Sequence, residues 1–142
     1  MKDHPFSIIT SSEAEDAWID VKIDEFNRKY LSYTGEQLEI PINFVLKKGN
    51  IVLAGIKSCF YLGEVLSINV LFVDENHRNI GLGCKLLKKV ETEAKSKGGK
   101  FAHLYAFDHI KDFYIRHGYS IFGALENCPK TGHQCYYLKK NL

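Results

Sequence analysis

The chain of 142 residues is 45% hydrophobic and 25% charged, an ordinary balance for one soluble globular domain. At this length roughly two-thirds of the unfolded surface can be buried, so the fold needs neither a metal nor a disulfide. No apolar run reaches the ~18 residues of a transmembrane helix, and the polar first residues lack the hydrophobic stretch of a signal peptide. We therefore expect a single domain over residues 1–142, cytoplasmic, with no membrane partner, as a monomer or homodimer.

The net charge of +2 is unevenly distributed along the chain. Residues 1–40 carry nine acidic and four basic side chains, a net of −5, whereas residues 41–142 carry a net of +7. Such asymmetry is typical either of surfaces that face differently charged ligands or of two solvated surfaces without a specific role. The lysines of the basic part lie mostly on the outer face of one helix rather than in a stripe, so we expect no nucleic-acid partner.

The first 40 residues predict a short strand and a long helix. The strand covers residues 6–10, and the helix begins at Ser11 or Ser12, with two glutamates close behind, and extends to Tyr30. This helix is apolar on two opposite faces, which predicts a sheet below it and a ligand groove or second helix above. One face carries Ala14, Ala17, Trp18 and Val21, and the other carries Ile19, Ile23, Phe26 and Tyr30.

The rest of the chain alternates strands and helices. Strands are predicted over residues 42–47, 51–60, 64–73, 101–107, 119–125 and 134–139, with a hairpin turn at Gly49-Asn50. An amphipathic helix over 81–97 has one apolar face made of Leu82, Leu86, Leu87, Val90 and Ala94, and a short helix capped by Asp108 runs to His117. This order predicts an α/β fold with a mixed, mostly antiparallel sheet of six to seven strands and helices on both faces.

The segment from Val73 to Cys84 carries the chemistry. A strand ends, a loop turns, and the pattern Arg78-x-x-Gly81-x-Gly83 opens the amphipathic helix. The unpaired amides and the dipole of a helix start attract anions, and glycines let a pyrophosphate approach the backbone closely. A dinucleotide-binding fingerprint would need a third glycine and an earlier position, and the Walker lysine is absent.

Two motifs resemble those of the GCN5-related N-acetyltransferase (GNAT) superfamily. Arg78-x-x-Gly81-x-Gly83 resembles its acetyl-CoA pyrophosphate signature, and residues 113–119, Phe-Tyr-Ile-Arg-His-Gly-Tyr, resemble its Phe-Tyr-x-x-x-Gly-Phe/Tyr segment. Their order and separation also match, and the resemblance extends from about Ile42 to the C-terminus. It implies a GNAT-like fold with acetyl-CoA as cosubstrate and no metal.

The resemblance also implies roles for particular residues. The strand carrying Leu71, Phe72 and Val73 splays away from the strand 101–107, and its backbone binds the pantetheine arm in the gap. The pyrophosphate lies on the amides of Arg78, Asn79, Ile80, Gly81, Leu82, Gly83 and Cys84. Tyr114 protonates the departing thiolate after direct attack by a primary amine in a ternary complex. Residues 11–40 form one wall of the acceptor groove, and their negative charge favours a cationic small molecule or peptide amine.

The general base stays open. Several family members carry a glutamate at the position of Ser67, and Glu64 is a poor substitute because it points to the opposite face from Ser67, Asn69 and Leu71. A water chain held by Ser67 and Asn69 could remove the proton instead. So could a histidine such as His103 or His109.

Three further alternatives are open. A thiol in the first turn of a helix is acidified, which would suit a ping-pong route through Cys84, although we favour a packed small residue there. Cys128, His133 and Cys135 could bind zinc, but a structural site needs four ligands, so we favour a turn and four free cysteines. A non-catalytic acyl-CoA-binding module would keep the phosphate loop without needing Tyr114.

Overall fold

A computed structural model describes residues 5–32 and 39–142 of the protein. The chain divides into two compact units, Met1–Thr34 and Gly35–Leu142. None of the helices formed by these described residues combines the length and the apolar character that crossing a bilayer requires.

The described part of the first unit contains one helix, α1 (Glu13–Asn27). Ser12 and Glu15 form a capping box: the Ser12 hydroxyl accepts the Glu15 N–H at 3.3 Å, and the Glu15 carboxylate accepts the Ser12 N–H at 2.8 Å. The predicted helix start is therefore confirmed. The strand predicted over residues 6–10 is wrong, because no described strand pairs with it and its backbone takes no regular structure.

The second unit is built on a seven-stranded sheet in the order β1-β3-β4-β5-β7-β6, with β2 paired to β3. Its strands are β1 (Glu39–Pro41), β2 (Phe44–Lys48), β3 (Ile51–Tyr61), β4 (Val65–Val73), β5 (Phe101–Phe107), β6 (Ser120–Glu126) and β7 (Gln134–Asn141). Among these described strands β4 and β5 are parallel, and the other pairs are antiparallel. The mixed, mostly antiparallel sheet is thus confirmed, and β1 is an addition to the prediction.

Two helices belong to this unit, α2 (Leu82–Ser96) and α3 (Lys111–Arg116). As predicted, α2 buries one face against the sheet, with Leu86, Leu87, Val90 and Ala94 all in the core. The helix α3 adds Tyr114 to the same core. The predicted cap at Asp108 is wrong: α3 begins only at Lys111, and the Asp108 carboxylate instead accepts the Gln134 N–H at 3.0 Å, which ties the end of β5 to β7.

Candidate active site

The strand gap is the wedge between β4 and β5, which opens where their pairing stops. The two strands pair at three positions, Val65 with Phe101, Leu66 with Ala102 and Ser67 with His103. Beyond Ser67, β4 continues along β3 for six residues, while β5 continues along β7. The divergence that the resemblance implied is therefore present. On the side that faces the gap, the backbone of residues 68–73 is not paired with β5.

A β-bulge at Asn69 changes which side chains of β4 face the core. Asn69 is the extra residue between two positions that pair with consecutive residues of β3. Ile68 before the bulge is buried in the core, and Leu71 and Val73 after it pack against the same core. The expectation that Leu71 shares a face with Ser67 and Asn69 is therefore wrong, because the bulge shifts the two-residue alternation by one.

Six consecutive amides are unpartnered at the open end of the strand gap. The N–H groups of residues 79–84 donate to no acceptor within the described ranges. Those of residues 82–84 belong to the first turn of α2, where the amides have no intrahelical acceptor and the helix dipole is positive. Asn79 and Gly81 have left-handed backbones, with φ of 63° and 86°, a geometry that gathers amides into an anion-binding concavity. The predicted pyrophosphate loop, residues 78–84, which we call the phosphate loop, therefore has the geometry of an anion-binding site.

Asp74 and Arg78 hold this loop in place. The Asp74 carboxylate accepts from His77 Nδ1 at 2.7 Å and from the Asn76 N–H at 3.2 Å. The hydrogen bond from His77 is the main reason that the pKa of Asp74 lies below its usual value. Arg78 Nε donates to the Val73 carbonyl at 3.0 Å, which holds the arginine side chain against the end of β4. Sequence reasoning missed the Asp74–His77 pair, since neither residue belongs to the glycine motif.

Glycine is required at the two motif positions for different structural reasons. Gly81 precedes α2 with a positive φ, and a Cβ there would meet no protein atom within 4 Å. Open space above a left-handed glycine leaves room for a ligand to approach the backbone. Gly83 is instead required by packing, because a Cβ there would lie 3.3 Å from Phe113 Cζ and 3.6 Å from Val73 Cγ2. The loop is thereby packed against the residue next to Tyr114.

Tyr114 lies with its ring in the core and is only 6% exposed. The ring contacts those of Phe113 and Tyr119, with centroids 5.1 and 5.7 Å away. Burial raises the pKa of Tyr114 to about 12, so the phenol keeps its proton at neutral pH. Within the described residues, no group hydrogen-bonds the Tyr114 hydroxyl. Since every buried polar side-chain atom among those residues has a hydrogen-bond partner, the hydroxyl oxygen is not fully buried, and solvent or a ligand can reach it.

A glutamate of α2 fixes the neighbouring tyrosine. The Tyr119 hydroxyl donates to Glu91 Oε1 at 2.9 Å, and Lys140 Nζ donates to Glu91 Oε2 at 2.8 Å. Burial, together with the Glu91 carboxylate, raises the pKa of Tyr119. This network joins α2 to β7 and fixes the Tyr119 ring, which contacts the ring of Tyr114.

Polar side chains gather at the closed end of the strand gap. Tyr61 Oη lies 2.7 Å from His103 Nε2, and the Ser67 hydroxyl donates to Asn69 Oδ1 at 3.1 Å. His103 and Ser67 are paired neighbours across the last position that joins β4 to β5. His109, the other histidine considered from the sequence, is exposed and stacks on Phe107 with centroids 6.3 Å apart. Tyr61 was missed because its contact depends on the register of three strands.

The cysteines are all free thiols, and Cys84 is half-buried beside the phosphate loop. Burial is the main cause that raises the pKa of Cys135. The Cys128 N–H donates to the His133 carbonyl at 3.1 Å, which closes the turn between β6 and β7. Within residues 5–32 and 39–142, no three His, Cys, Asp or Glu side chains gather in a way that could hold a metal.

Comparison with known proteins gives the same fold and names the family. A crystal structure of an acetyltransferase from Bacillus cereus is 30% identical with a TM-score of 0.84, covering 96% of this chain and 98% of that one. An aminoglycoside 6'-N-acetyltransferase complexed with coenzyme A (16% identity, TM-score 0.65, 95% and 97% covered) shares the fold. So does the aminoglycoside 6'-N-acetyltransferase from Enterococcus faecium (18%, 0.64, 88% and 84%).

The sequence itself gives the family match. No curated protein matches the chain significantly. The model of the acetyltransferase (GNAT) domain matches residues 42–121, which is more than half of the chain and includes the phosphate loop, the strand gap and Tyr114. The chain therefore belongs to the GNAT acetyltransferase domain family.

Proposed function

We propose that the protein transfers an acetyl group from acetyl-CoA to a primary amine by direct attack in a ternary complex. The observation that carries this proposal is the row of six amides, residues 79–84, that donate to no acceptor in the described part of the chain and lie at the open end of the strand gap. A pyrophosphate is an anion of the size and charge that such a helix start binds. Residues 68–73 lead from it toward Ser67 and extend about 17 Å along the strand, a length over which an extended arm can pair with backbone.

Each residue of the site has a defined task in this reaction. The amides of 79–84 hold the pyrophosphate, and the backbone of Leu71 and Phe72 holds the pantetheine arm. The backbone of Val73 belongs to the same stretch, and its carbonyl, which accepts from Arg78 Nε, keeps a second lone pair for the arm. The Cys84 thiol stays a packing residue beside the loop.

Tyr114 donates to the departing sulfur. A phenol with a pKa of about 12 is a weaker acid than a thiol, whose ordinary pKa is about 8.5. Tyr114 therefore keeps its proton and donates a hydrogen bond to the sulfur as negative charge accumulates there. A hydrogen bond to a charged group stabilises by about 1.5–3 kcal/mol, which corresponds to roughly 10- to 150-fold in rate.

We propose a cationic amine as the acceptor, a small molecule or a peptide amine. The acidic excess of residues 1–40, a net of −5, supports this choice, because a negative field raises the local concentration of cations. Ion pairs near and within α1 neutralise part of that field. Lys22 Nζ lies 2.8 Å from Glu25 Oε2, and Arg28 Nε lies 2.9 Å from Asp24 Oδ2. The steering effect is accordingly small and should disappear with added salt.

We further propose that residues 1–142 form one cytoplasmic catalytic domain. Four free cysteines agree with a reducing compartment. A related finding is that the aminoglycoside 6'-N-acetyltransferases with this fold are named for the transfer of an acetyl group to an amine.

The test measures thiol release from acetyl-CoA with spermidine, kanamycin, a lysine-containing peptide, an arylamine and glutamate. We expect turnover with the cationic amines, at a kcat/KM that falls as ionic strength rises, and little with the arylamine or glutamate. Equal turnover of neutral and acidic amines without a salt effect would refute the cationic acceptor. Tight CoA binding by calorimetry without turnover of any amine would instead indicate an acyl-CoA-binding module.

A further inference from the structure

Tyr61 and His103 form a hydrogen-bonded pair at the closed end of the strand gap. Their rings meet edge to face with centroids 6.1 Å apart, and Tyr61 Oη lies 2.7 Å from His103 Nε2. His103 is the last residue of β5 that faces β4, immediately beside Ser67. The pair therefore stands where the path along residues 68–73 ends.

His103 and Tyr114 lie on opposite faces of the sheet. The neighbours of His103 on β5, Ala102 and Leu104, are buried in the core that also contains Tyr114. Since successive side chains of a strand alternate, His103 projects from the other face. A thioester bound between β4 and β5 would thus have the core face, which carries Tyr114, on one side and the face that carries His103 on the other.

We propose that His103 accepts the proton that the acceptor amine loses, and that Tyr61 orients its imidazole. This inference rests on the proposed function. The assignment requires the tautomer with its proton on Nε2, in which this N–H donates to Tyr61 Oη and the lone pair on Nδ1 is left for the amine proton. As the nitrogen bonds to the carbonyl carbon, the carbon–sulfur bond breaks and its electron pair stays on the sulfur, which accepts a hydrogen bond from Tyr114. Nδ1 takes the amine proton, and the imidazolium then gives that proton to water, from which the released thiolate can take one.

The surroundings of His103 keep it neutral. Burial lowers the pKa of His103 from the usual 6.5. Its paired neighbour on β7 is Lys139, whose ammonium lies over the Phe122 ring. On the other side, Cys59 of β3 pairs with Ser67, and Glu39 of β1 pairs with Tyr61. Burial first, then these two acidic groups, raises the pKa of Tyr61, so its phenol also stays neutral. A neutral imidazole is the form that a general base needs.

Other candidates for the base have a poorer position. Ser67 and Asn69 hydrogen-bond each other, and neither side chain gains a proton at neutral pH. His109 lies beyond the end of β5, exposed and stacked on Phe107. Of the histidines considered from the sequence, His103 is the one at the closed end of the gap.

The test compares wild type with His103→Ala, Tyr61→Phe and His109→Ala, and uses His133→Ala as the matched control in an exposed turn. The reaction is acetyl-CoA with whichever of spermidine or kanamycin reacts faster. We expect kcat/KM to fall about 100-fold in His103→Ala and about 2- to 10-fold in Tyr61→Phe, which loses one orienting hydrogen bond. Added imidazole should restore His103→Ala at least about 10-fold, which the loss of a structural residue would not allow.

Two readouts identify the titrating group. The wild-type profile of log kcat/KM should have an acid limb with a pKa below 6.5 that stays in place when acceptors of different amine pKa are compared. That limb should vanish in His103→Ala. Titration of the His103 ring by NMR should give the same pKa without any acceptor, and Tyr61→Phe should shift it.

Each outcome has a distinct meaning. Wild-type kcat/KM in a folded His103→Ala variant overturns the assignment, as does loss of the acid limb in His109→Ala instead. A ring pKa of 6.5 or higher also overturns it, whether or not an acceptor is found. Failure of every amine to react overturns the proposed function and the assignment together, while turnover that ignores His103 overturns the assignment alone.

Discussion

Replacing Gly81 by alanine has two separable effects, a loss of folding stability from backbone strain and a loss of affinity for CoA. Gly81 has φ of 86°, and an added Cβ would meet no protein atom within 4 Å. The cost to folding is therefore strain alone, about 1–2 kcal/mol for a left-handed alanine. For a chain of this size that lowers Tm by roughly 3–8 °C. Gly132→Ala is the matched control, because Gly132 has φ of 84° and the same open space.

The two variants should differ in CoA binding. A methyl group at Gly81 lies where we propose that the pyrophosphate meets the backbone, so CoA should bind at least about 10-fold more weakly, a loss of about 1.4 kcal/mol. At a CoA concentration 100 times the wild-type Kd, the thermal stabilisation of about 2.7 kcal/mol should be roughly halved. Gly132→Ala should keep the wild-type Kd in calorimetry. Wild-type affinity in Gly81→Ala, or an equal loss in Gly132→Ala, would refute the placement of the pyrophosphate.

The remaining predictions concern Tyr114, Asp74 and Glu91. Tyr114→Phe should lower kcat by roughly 10- to 150-fold with little change in Tm, and a single-turnover rate within about 3-fold of wild type would contradict its role. Asp74→Asn should lower Tm at pH 5. Because His77 lowers the pKa of Asp74 from 3.8, this stabilisation is present above that value and is lost as the pH falls through the folded pKa, so the Tm difference should vanish in acid. Glu91→Gln weakens a charged hydrogen bond from Tyr119 and should cost about 1–3 kcal/mol in denaturant titration, while calorimetry gives unchanged CoA affinity.

The regular elements could be predicted because their signals are local. Residues 101–107 form β5 with the predicted bounds, and the apolar spacing of α2 identified the residues that it buries. The capping box at Ser12 and Glu15 is a four-residue signal and was equally readable. These features depend on neighbours in sequence, so one sequence was enough.

The features that could not be predicted depend on contacts between distant segments. The strand β1 has three residues including a proline, and it exists because it pairs with the end of β3. The bulge at Asn69 follows from the register of β4 on β3, and no residue type marks it. The contact at the closed end of the gap also joins distant segments, since Tyr61 and His103 are 42 positions apart in the sequence.

In the strand gap, residues 68–73 form a sheet edge that no described strand pairs on the side of β5, and this edge lies in the interior of the sheet rather than at its border. Free strand edges pair readily with other chains, and proteins usually protect them with charges, bulges or a covering element. Here the bulge at Asn69 bends the edge, and on the proposed binding mode the pantetheine arm supplies the missing partner. The ligand-free protein should therefore be more prone to intermolecular strand pairing than the CoA complex. Amide hydrogen exchange along residues 68–73 should slow when CoA binds, so occupancy of the gap would protect the protein from aggregation as well as prepare it for catalysis.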